Sequence, residues 1–331
     1  MLKKMPEQNI QATSLKEHPT IHLPRRISVI EAVDLKKKIQ QILQTSYSPE
    51  KVILDCSQTT FIDSSGIGAL VSVHKISREK EVKIIHRGVT PQMMAVLKMT
   101  ALDRVLTVEP LAAQPKPVTT IEPLPETHPS VRSWLKRWID IVGAAVGLGI
   151  TAIIFVPIAI FIKLESPGPI FFGQIRKGWM GREFKIWKFR SMYIDAEERK
   201  KQLEAQNQAD GKTFKMKDDP RVTKVGKFLR KTSLDELPQF WNVLRGEMSL
   251  VGTRPPTPNE VDIYEVPEWQ RLDVKPGMTG EWQVSGRSTI SHFEDIIALD
   301  LRYQRNWSLT HDIKLILKTI FVVFSKNSGA A

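Results

Sequence analysis

Through the first 110 residues, short β-branched and apolar runs alternate with longer stretches whose apolar positions recur at helical spacing. A strand is expected near Thr20–Leu23, then a helix from about Val29 to Leu43 that places Ile30, Val33, Leu35, Ile39, Ile42 and Leu43 largely on one side. VILDCS, 52–57, reads as a buried strand, and FIDSSGIGALVSVHKISREK as a turn feeding a helix. EVKIIHR, 81–87, is a further strand. TPQMMAVLKM is a helix capped by Thr90 with Pro91 at its first position, and DRVLTV closes the pattern with a strand. Strands and helices alternating at this spacing predict helices packed on a sheet.

The pattern then changes twice. Residues 110–130, PLAAQPKPVTTIEPLPETHPS, are proline-rich and read as a semi-extended linker between domains. Beyond it, Ile141 to Ile162 form a charge-free apolar run of 22 residues, long enough to cross a bilayer as a helix. Arg132, Lys136 and Arg137 precede it, and Lys163, Arg176, Lys177 and Arg182 follow it. Basic flanks favour the cytoplasmic side, and one crossing cannot place both there. Pro157 removes a hydrogen bond inside the run and favours a kink. A kinked helix that enters and leaves on one face reconciles these features; a plain crossing with weak charge bias is the alternative. The C-terminal stretch 311–325, HDIKLILKTIFVVFS, is an apolar helix that suits either the membrane interface or the domain core.

Composition narrows the setting. The single cysteine, Cys56, allows no internal disulfide and suits a reducing compartment; at a buried strand end it reads as core, and His74 reads as structural. The polar N-terminus reads as no signal peptide. Net charge is +12, and residues 171–231 hold 17 basic against 8 acidic side chains. Such a patch attracts phosphates or anionic headgroups. No recognised nucleic-acid motif accompanies it, so nucleic acid is not an expected partner.

The candidate chemistry lies in TSLDELPQFWNVLRGEMSLVGTRPP, 232–256. Asp235 and Glu236 stand side by side at an expected helix start, bracketed by Arg230 and Arg254. Adjacent helical residues point about 100° apart, so the two acids need not share a role. One carboxylate can attack phosphorus and another can hold Mg²⁺ against a diphosphate. Arginines suit bidentate phosphate contacts, and Lys188 in WKFRSM adds a compact charge. The plain alternative is a pair of acids favoured by a helix dipole.

Four segments, SPGPIFFGQIRKG, FKIWKFRSM, DDPRVTKVGKFLRKTSLDELPQFWNVLRGEMSLVGTRP and PGMTGEWQVSGRS, resemble the bacterial sugar transferases. These are monotopic polyprenyl-phosphate phosphoglycosyl transferases, and the resemblance covers about residues 132–325. It implies transfer of a sugar 1-phosphate from a UDP-sugar to undecaprenyl phosphate, with Mg²⁺ as cofactor and UMP released. It maps the nucleophile to Asp235 and its partner acid to Glu236, the metal to both, and phosphate binding to Lys188, Arg230 and Arg254. It also implies a re-entrant membrane helix. Three departures stand out: Val156-Pro157 where some members have Ser-Pro, Thr253 where many have proline, and Glu281 where an apolar residue is common. The last bears on substrate choice if it reaches the site.

Residues 20–109 resemble a STAS domain, the fold of anti-sigma factor antagonists, chiefly through VILDCSQTTFIDSSGIGALVSVHK. That resemblance implies a regulatory protein or kinase as partner, with Ser65 as the phosphorylation position. Alternatively, Asp63 and Ser64 only cap the helix while Gly66 and Gly68 permit close packing.

The expected fold is therefore α/β. It comprises a tail, 1–19; a STAS-type sheet with helices, 20–109; a linker, 110–130; and a mainly helical, membrane-associated catalytic domain, 131–331, whose membrane helix spans about 139–163. The expected location is the inner (cytoplasmic) membrane, with both domains on its cytoplasmic face. A non-catalytic membrane scaffold signalling through STAS is the competing reading. An anion transporter fails, because transporters need many spans.

Overall fold

The computed structural model describes residues 11–13, 18–44, 49–109, 127–203, 216, 219–286 and 293–324. Most of the expected tail and nearly all of the linker lie outside these residues. The chain forms two compact units. The first comprises Met1–Thr127 with Met180–Arg182 and Tyr264–Asp273; the second comprises His128–Trp179, Glu183–Ile263 and Val274–Ala331.

The first unit is built on a five-stranded sheet of β1 (Gln11–Thr13), β2 (Thr20–His22), β4 (Lys51–Asp55), β6 (Lys83–Arg87) and β7 (Thr107–Glu109), in that spatial order. Strands β2, β4, β6 and β7 pair in parallel and β1 adds antiparallel to β2. A short parallel pair, β3 (Arg26–Ile27) and β5 (Phe61–Ile62), lies before the second helix. Parallel strands need crossovers, supplied here by α1 (Val29–Gln44), α2 (Ser64–Glu79) and α3 (Pro91–Met99). Helix α1 buries Ala32, Leu35, Ile39 and Leu43, a spacing that points one stripe inward. Ile30, expected in that stripe, is instead 74% exposed, because it sits on the first turn beside the stripe. The DRV of the expected last strand is partly a 3₁₀ turn, Leu102–Arg104. Cys56 is core, as expected.

Asp63 caps α2, accepting from the Gly66 amide at 3.0 Å. Thr90 caps α3 through the Met93 amide, with Pro91 at the first position. Ser65 is fully buried, and its hydroxyl has no hydrogen-bond partner among the described residues. A kinase cannot reach it unless this turn opens.

The second unit is mostly helical. After the short α4 (Pro129–Arg132), α5 runs unbroken from Trp134 to Glu165, longer than the expected membrane helix and with Pro157 inside it. Lys136, Asp140, Ala144, Gly147, Thr151, Ile158 and Ile162 form its buried face. Trp138, Val146, Ile150, Ile153, Val156, Ile160 and Leu164 lie exposed around the rest. Strands β8 (Phe171–Lys177) and β9 (Glu183–Phe189) form an antiparallel hairpin. Then come α6 (Ala196–Leu203), α7 (Lys224–Lys231), α8 (Gln239–Arg245), β10 (Ser249–Val251), α9 (Pro258–Asp262), β11 (Gly277–Thr279), α10 (Glu281–Val284), α11 (Phe293–Arg305) and α12 (Leu309–Phe324). Strands β10 and β11 pair in parallel. Helix α12 has one face in the domain core and another exposed: Asp312 and Leu315 are buried, whereas Leu317, Ile320 and Phe321 are exposed.

Candidate active site

One apolar cluster positions most of the expected site. Ile158 and Ile162 of α5 pack with Phe189 and Leu229, and Leu234 and Leu237 close over them. Phe189 follows Lys188, Leu229 precedes Arg230, and Leu234 and Leu237 flank Asp235 and Glu236. The core contacts of these four neighbours therefore set where each polar group emerges.

The acidic pair does not begin an α-helix. Ser233 takes a left-handed conformation (φ 56°) and turns the chain after α7 into a 3₁₀ turn, Leu234–Glu236. That geometry is unusual for a residue other than glycine and reverses direction within one residue. Asp235 is 6% exposed. Glu236 accepts from Lys188 Nζ at 3.0 Å. Arg230 Nε donates to Ser191 Oγ at 2.9 Å. Burial lowers the Arg230 pKa, while the carboxylates of Asp235, Asp219 and Glu236 act to keep it charged. Asp219 is itself paired with Arg221 at 2.6 Å. Burial pushes the Asp219 carboxyl up, but Arg221 and then Arg230 outweigh it and hold the carboxyl below its ordinary value.

Arg254 belongs to a second group. Its two terminal nitrogens hold both oxygens of Glu260, at 2.8 and 3.1 Å, and its guanidinium lies 5.7 Å from the Trp282 ring. Burial raises the Glu260 pKa, but Arg254, with help from Arg176, overcomes this and lowers it. Glu260 also completes a capping box with Thr257 at the start of α9. Lys188, Arg230, Asp235 and Glu236 thus form one cluster, and Arg254 anchors another around Glu260.

Several supporting residues escaped the sequence reading. Glu165 at the end of α5 accepts from the Lys224 and Val225 amides, at 2.6 and 2.8 Å, and so caps α7. Thr223 caps the same helix through Gly226. Asn242 accepts from the Trp187 amide at 3.2 Å and donates to the Lys185 carbonyl at 2.7 Å, holding β9 where it carries Lys188. Of these, the Thr223 cap is a local signal that the sequence carries; Glu165 and Asn242 link distant segments. Glu281 accepts from Arg302 at 3.0 Å and lies 2.9 Å from His311, so its departure from the apolar norm joins α10 to α11 and α12.

Gly226 packs on the backbone carbonyl of Ser191, where an added Cβ would overlap it. Gly226→Ala is therefore expected to destabilise the second unit by about 1–3 kcal/mol. A lower denaturant midpoint would show it; an unchanged midpoint would mean that the backbone yields freely.

Among the described residues no three or more His, Cys, Asp or Glu side chains converge as a metal cage. Asp235 and Glu236, adjacent on one turn, fit a different mode. In it Mg²⁺ takes one or two carboxylates and completes its shell with substrate phosphate and water.

Comparison with known proteins decides the family. Residues 131–326, more than half the chain, match the family described as bacterial sugar transferase. The chain belongs to the bacterial sugar transferase family. Residues 9–114 of this transferase match the STAS domain. It is 54% identical over 191 residues to the galactosyl transferase CpsE of Streptococcus agalactiae, covering 57% of this chain and 42% of that one. It is 39% identical to the exopolysaccharide production protein ExoY of Rhizobium meliloti, covering 60% of this chain and 90% of that one. It is 42% identical to the UDP-glucose:undecaprenyl-phosphate glucose-1-phosphate transferase of Escherichia coli, covering 62% of this chain and 43% of that one. The transferase thus spans less than half the length of the streptococcal and E. coli relatives.

Proposed function

We propose that this chain transfers a sugar 1-phosphate from a UDP-sugar to undecaprenyl phosphate at the inner face of the cytoplasmic membrane, releasing UMP and initiating polysaccharide assembly. One observation carries the proposal. Lys188, Arg230, Asp235 and Glu236 are held together by packing against Ile158 and Ile162, near the end of an apolar helix whose remaining faces are exposed. The names of the E. coli and Rhizobium relatives support both the reaction and its product class.

A carboxylate oxygen of Asp235 attacks the phosphorus bearing the sugar. The bond from that phosphorus to the bridging oxygen breaks, and UMP departs with the electron pair. A phosphate oxygen of undecaprenyl phosphate then attacks the same phosphorus, and Asp235 leaves as a free carboxylate. Arg230 and Lys188 stabilise charge on the transferring oxygens. Arg254, oriented by its pairing with Glu260, adds fixed positive charge for a second phosphate. Mg²⁺, held by Asp235 and Glu236 with donor phosphate oxygens, would neutralise diphosphate charge.

The exposed faces of α5 suit insertion into lipid. The basic residues on both flanks favour entry and exit on the cytoplasmic side, a re-entrant course with its bend at Pro157. This brings a lipid-held acceptor to a site that also meets a water-soluble donor. The STAS domain regulates the transfer.

The full chain in nanodiscs, given Mg²⁺ and undecaprenyl phosphate, is expected to release UMP from one member of a UDP-sugar panel. Release of UDP would replace this mechanism with ordinary glycosyl transfer. No release from folded protein with any sugar would favour the scaffold reading.

A further inference from the structure

The DSSG turn of the STAS domain is covered within its own unit. Tyr264–Asp273 lie in the sequence of the transferase family match, yet they pack as part of the first unit. The Trp269 ring is only 6% exposed and sits directly on Gly68, where an added Cβ would lie 2.5 Å from the indole. Gly181 faces the same ring from another side, its added Cβ 3.0 Å away. At the start of α2, the Ser64 amide donates to Asp273 Oδ1 at 3.0 Å, and the Ser64 hydroxyl meets Met180 Sδ at 3.3 Å. Burial, and then Asp273, push the Asp63 carboxyl up to about 7, which fits two acids held close together. The segment is also stiffened from within. Arg271 is fully buried, donates to the Tyr264 hydroxyl at 2.8 Å, and so ties one end of the segment to the other.

We infer that the α2 face of the STAS domain is an intramolecular docking face whose occupant is Tyr264–Asp273, with Trp269 as its anchor. Several features specify that occupant. Glycine at 68 leaves room for an indole and for no side chain of its own. The first free amide of α2 is matched by a carboxylate from the same segment. Ser65, next to Ser64 in the same turn, is fully buried. Any separate protein or kinase that uses the Asp63–Gly66 turn must first displace this segment, so regulation through STAS works by competition with the chain itself. This inference does not depend on the chemistry assigned to Asp235.

Hydrogen exchange on the full-length chain in detergent tests it, comparing the wild type with Trp269→Ala, Gly68→Ala and the double variant. Alanine favours a helix more than glycine does, so Gly68→Ala by itself should slow exchange in α2. Through displacement of Trp269 it is expected instead to speed exchange of the peptide over 61–70 by roughly tenfold or more, with β4 and β6 unchanged. Trp269→Ala is expected to do the same. With the ring gone, Gly68→Ala should add no further acceleration. Unchanged exchange at 61–70 in Gly68→Ala would overturn the inference, as would single effects that simply multiply in the double variant. If Trp269→Ala also loosened β4 and β6, the Gly68→Ala result alone would decide between the two outcomes.

Discussion

Asp235→Asn is expected to lower UMP release by at least roughly a thousandfold, with fold and membrane association retained. Asparagine has nearly the same shape, so the packing of Leu234 and Leu237 on Ile158 and Ile162 should survive. Arg230 would keep Asp219 and Glu236 as negative neighbours and Ser191 as an acceptor, so it is not stranded. What disappears is the carboxylate nucleophile. An amide oxygen is a far weaker nucleophile and cannot form the acyl phosphate. Glu236→Gln is a useful contrast, because its remaining carbonyl oxygen can still accept from Lys188. Turnover measured beside a detergent-stability assay separates lost chemistry from lost fold. Full turnover by Asp235→Asn would remove Asp235 as the nucleophile.

The largest stability effect is expected at Asp312. Its carboxylate is buried and gathers Lys136 Nζ at 2.5 Å, the Tyr303 hydroxyl at 2.9 Å and Trp307 Nε1 at 3.2 Å. Lys136, on the first turn of α5, is equally buried and has one further acceptor here, the Val251 carbonyl at 3.0 Å. Burial, reinforced by Asp312, raises the Tyr303 pKa well above its ordinary value, so the phenol stays protonated and able to donate. Asp312→Ala would leave the buried ammonium without its hydrogen-bonded carboxylate, with Asp140 one turn away as the remaining acid beside it. The expected cost is about 3–5 kcal/mol. Asp312→Asn should cost less, because an amide oxygen can still accept. Denaturant unfolding in detergent would measure both, and a loss under about 1 kcal/mol for Asp312→Ala would show that water or a rearrangement reaches Lys136. The pair matters beyond stability. It ties the start of α5 to β10 and α12, and β10 leads through Gly252 and Thr253 to Arg254.

Local pattern was enough to read much of this protein. Helix α2 was legible from its apolar spacing and the DSSG turn, and α3 from Thr90-Pro91, because caps and stripes are short-range features. The apolar run of α5 was legible because nothing charged interrupts it. The acids and bases of the cluster were legible by residue type, since phosphate chemistry asks for carboxylates and cations near one another.

Other features depend on long-range packing. That Lys188 meets Glu236 follows from side chains brought together across 48 positions, and no spacing encodes such a pairing. The left-handed Ser233 turned an expected helix start into a 3₁₀ turn, a choice made by the packing of Leu234 and Leu237 rather than by local propensity. Glu281 joins α10 to α11 and α12 through Arg302 and His311, pairings that its place in the motif does not state. Trp269 and Gly68 stand 201 positions apart, and each alone reads as an ordinary core residue. The sequence by itself determined the elements, the apolar helix and the chemical types at the site. Tertiary structure alone decided which charges are paired and what packs on the STAS turn, because those depend on burial and on partners that meet only when the chain is packed.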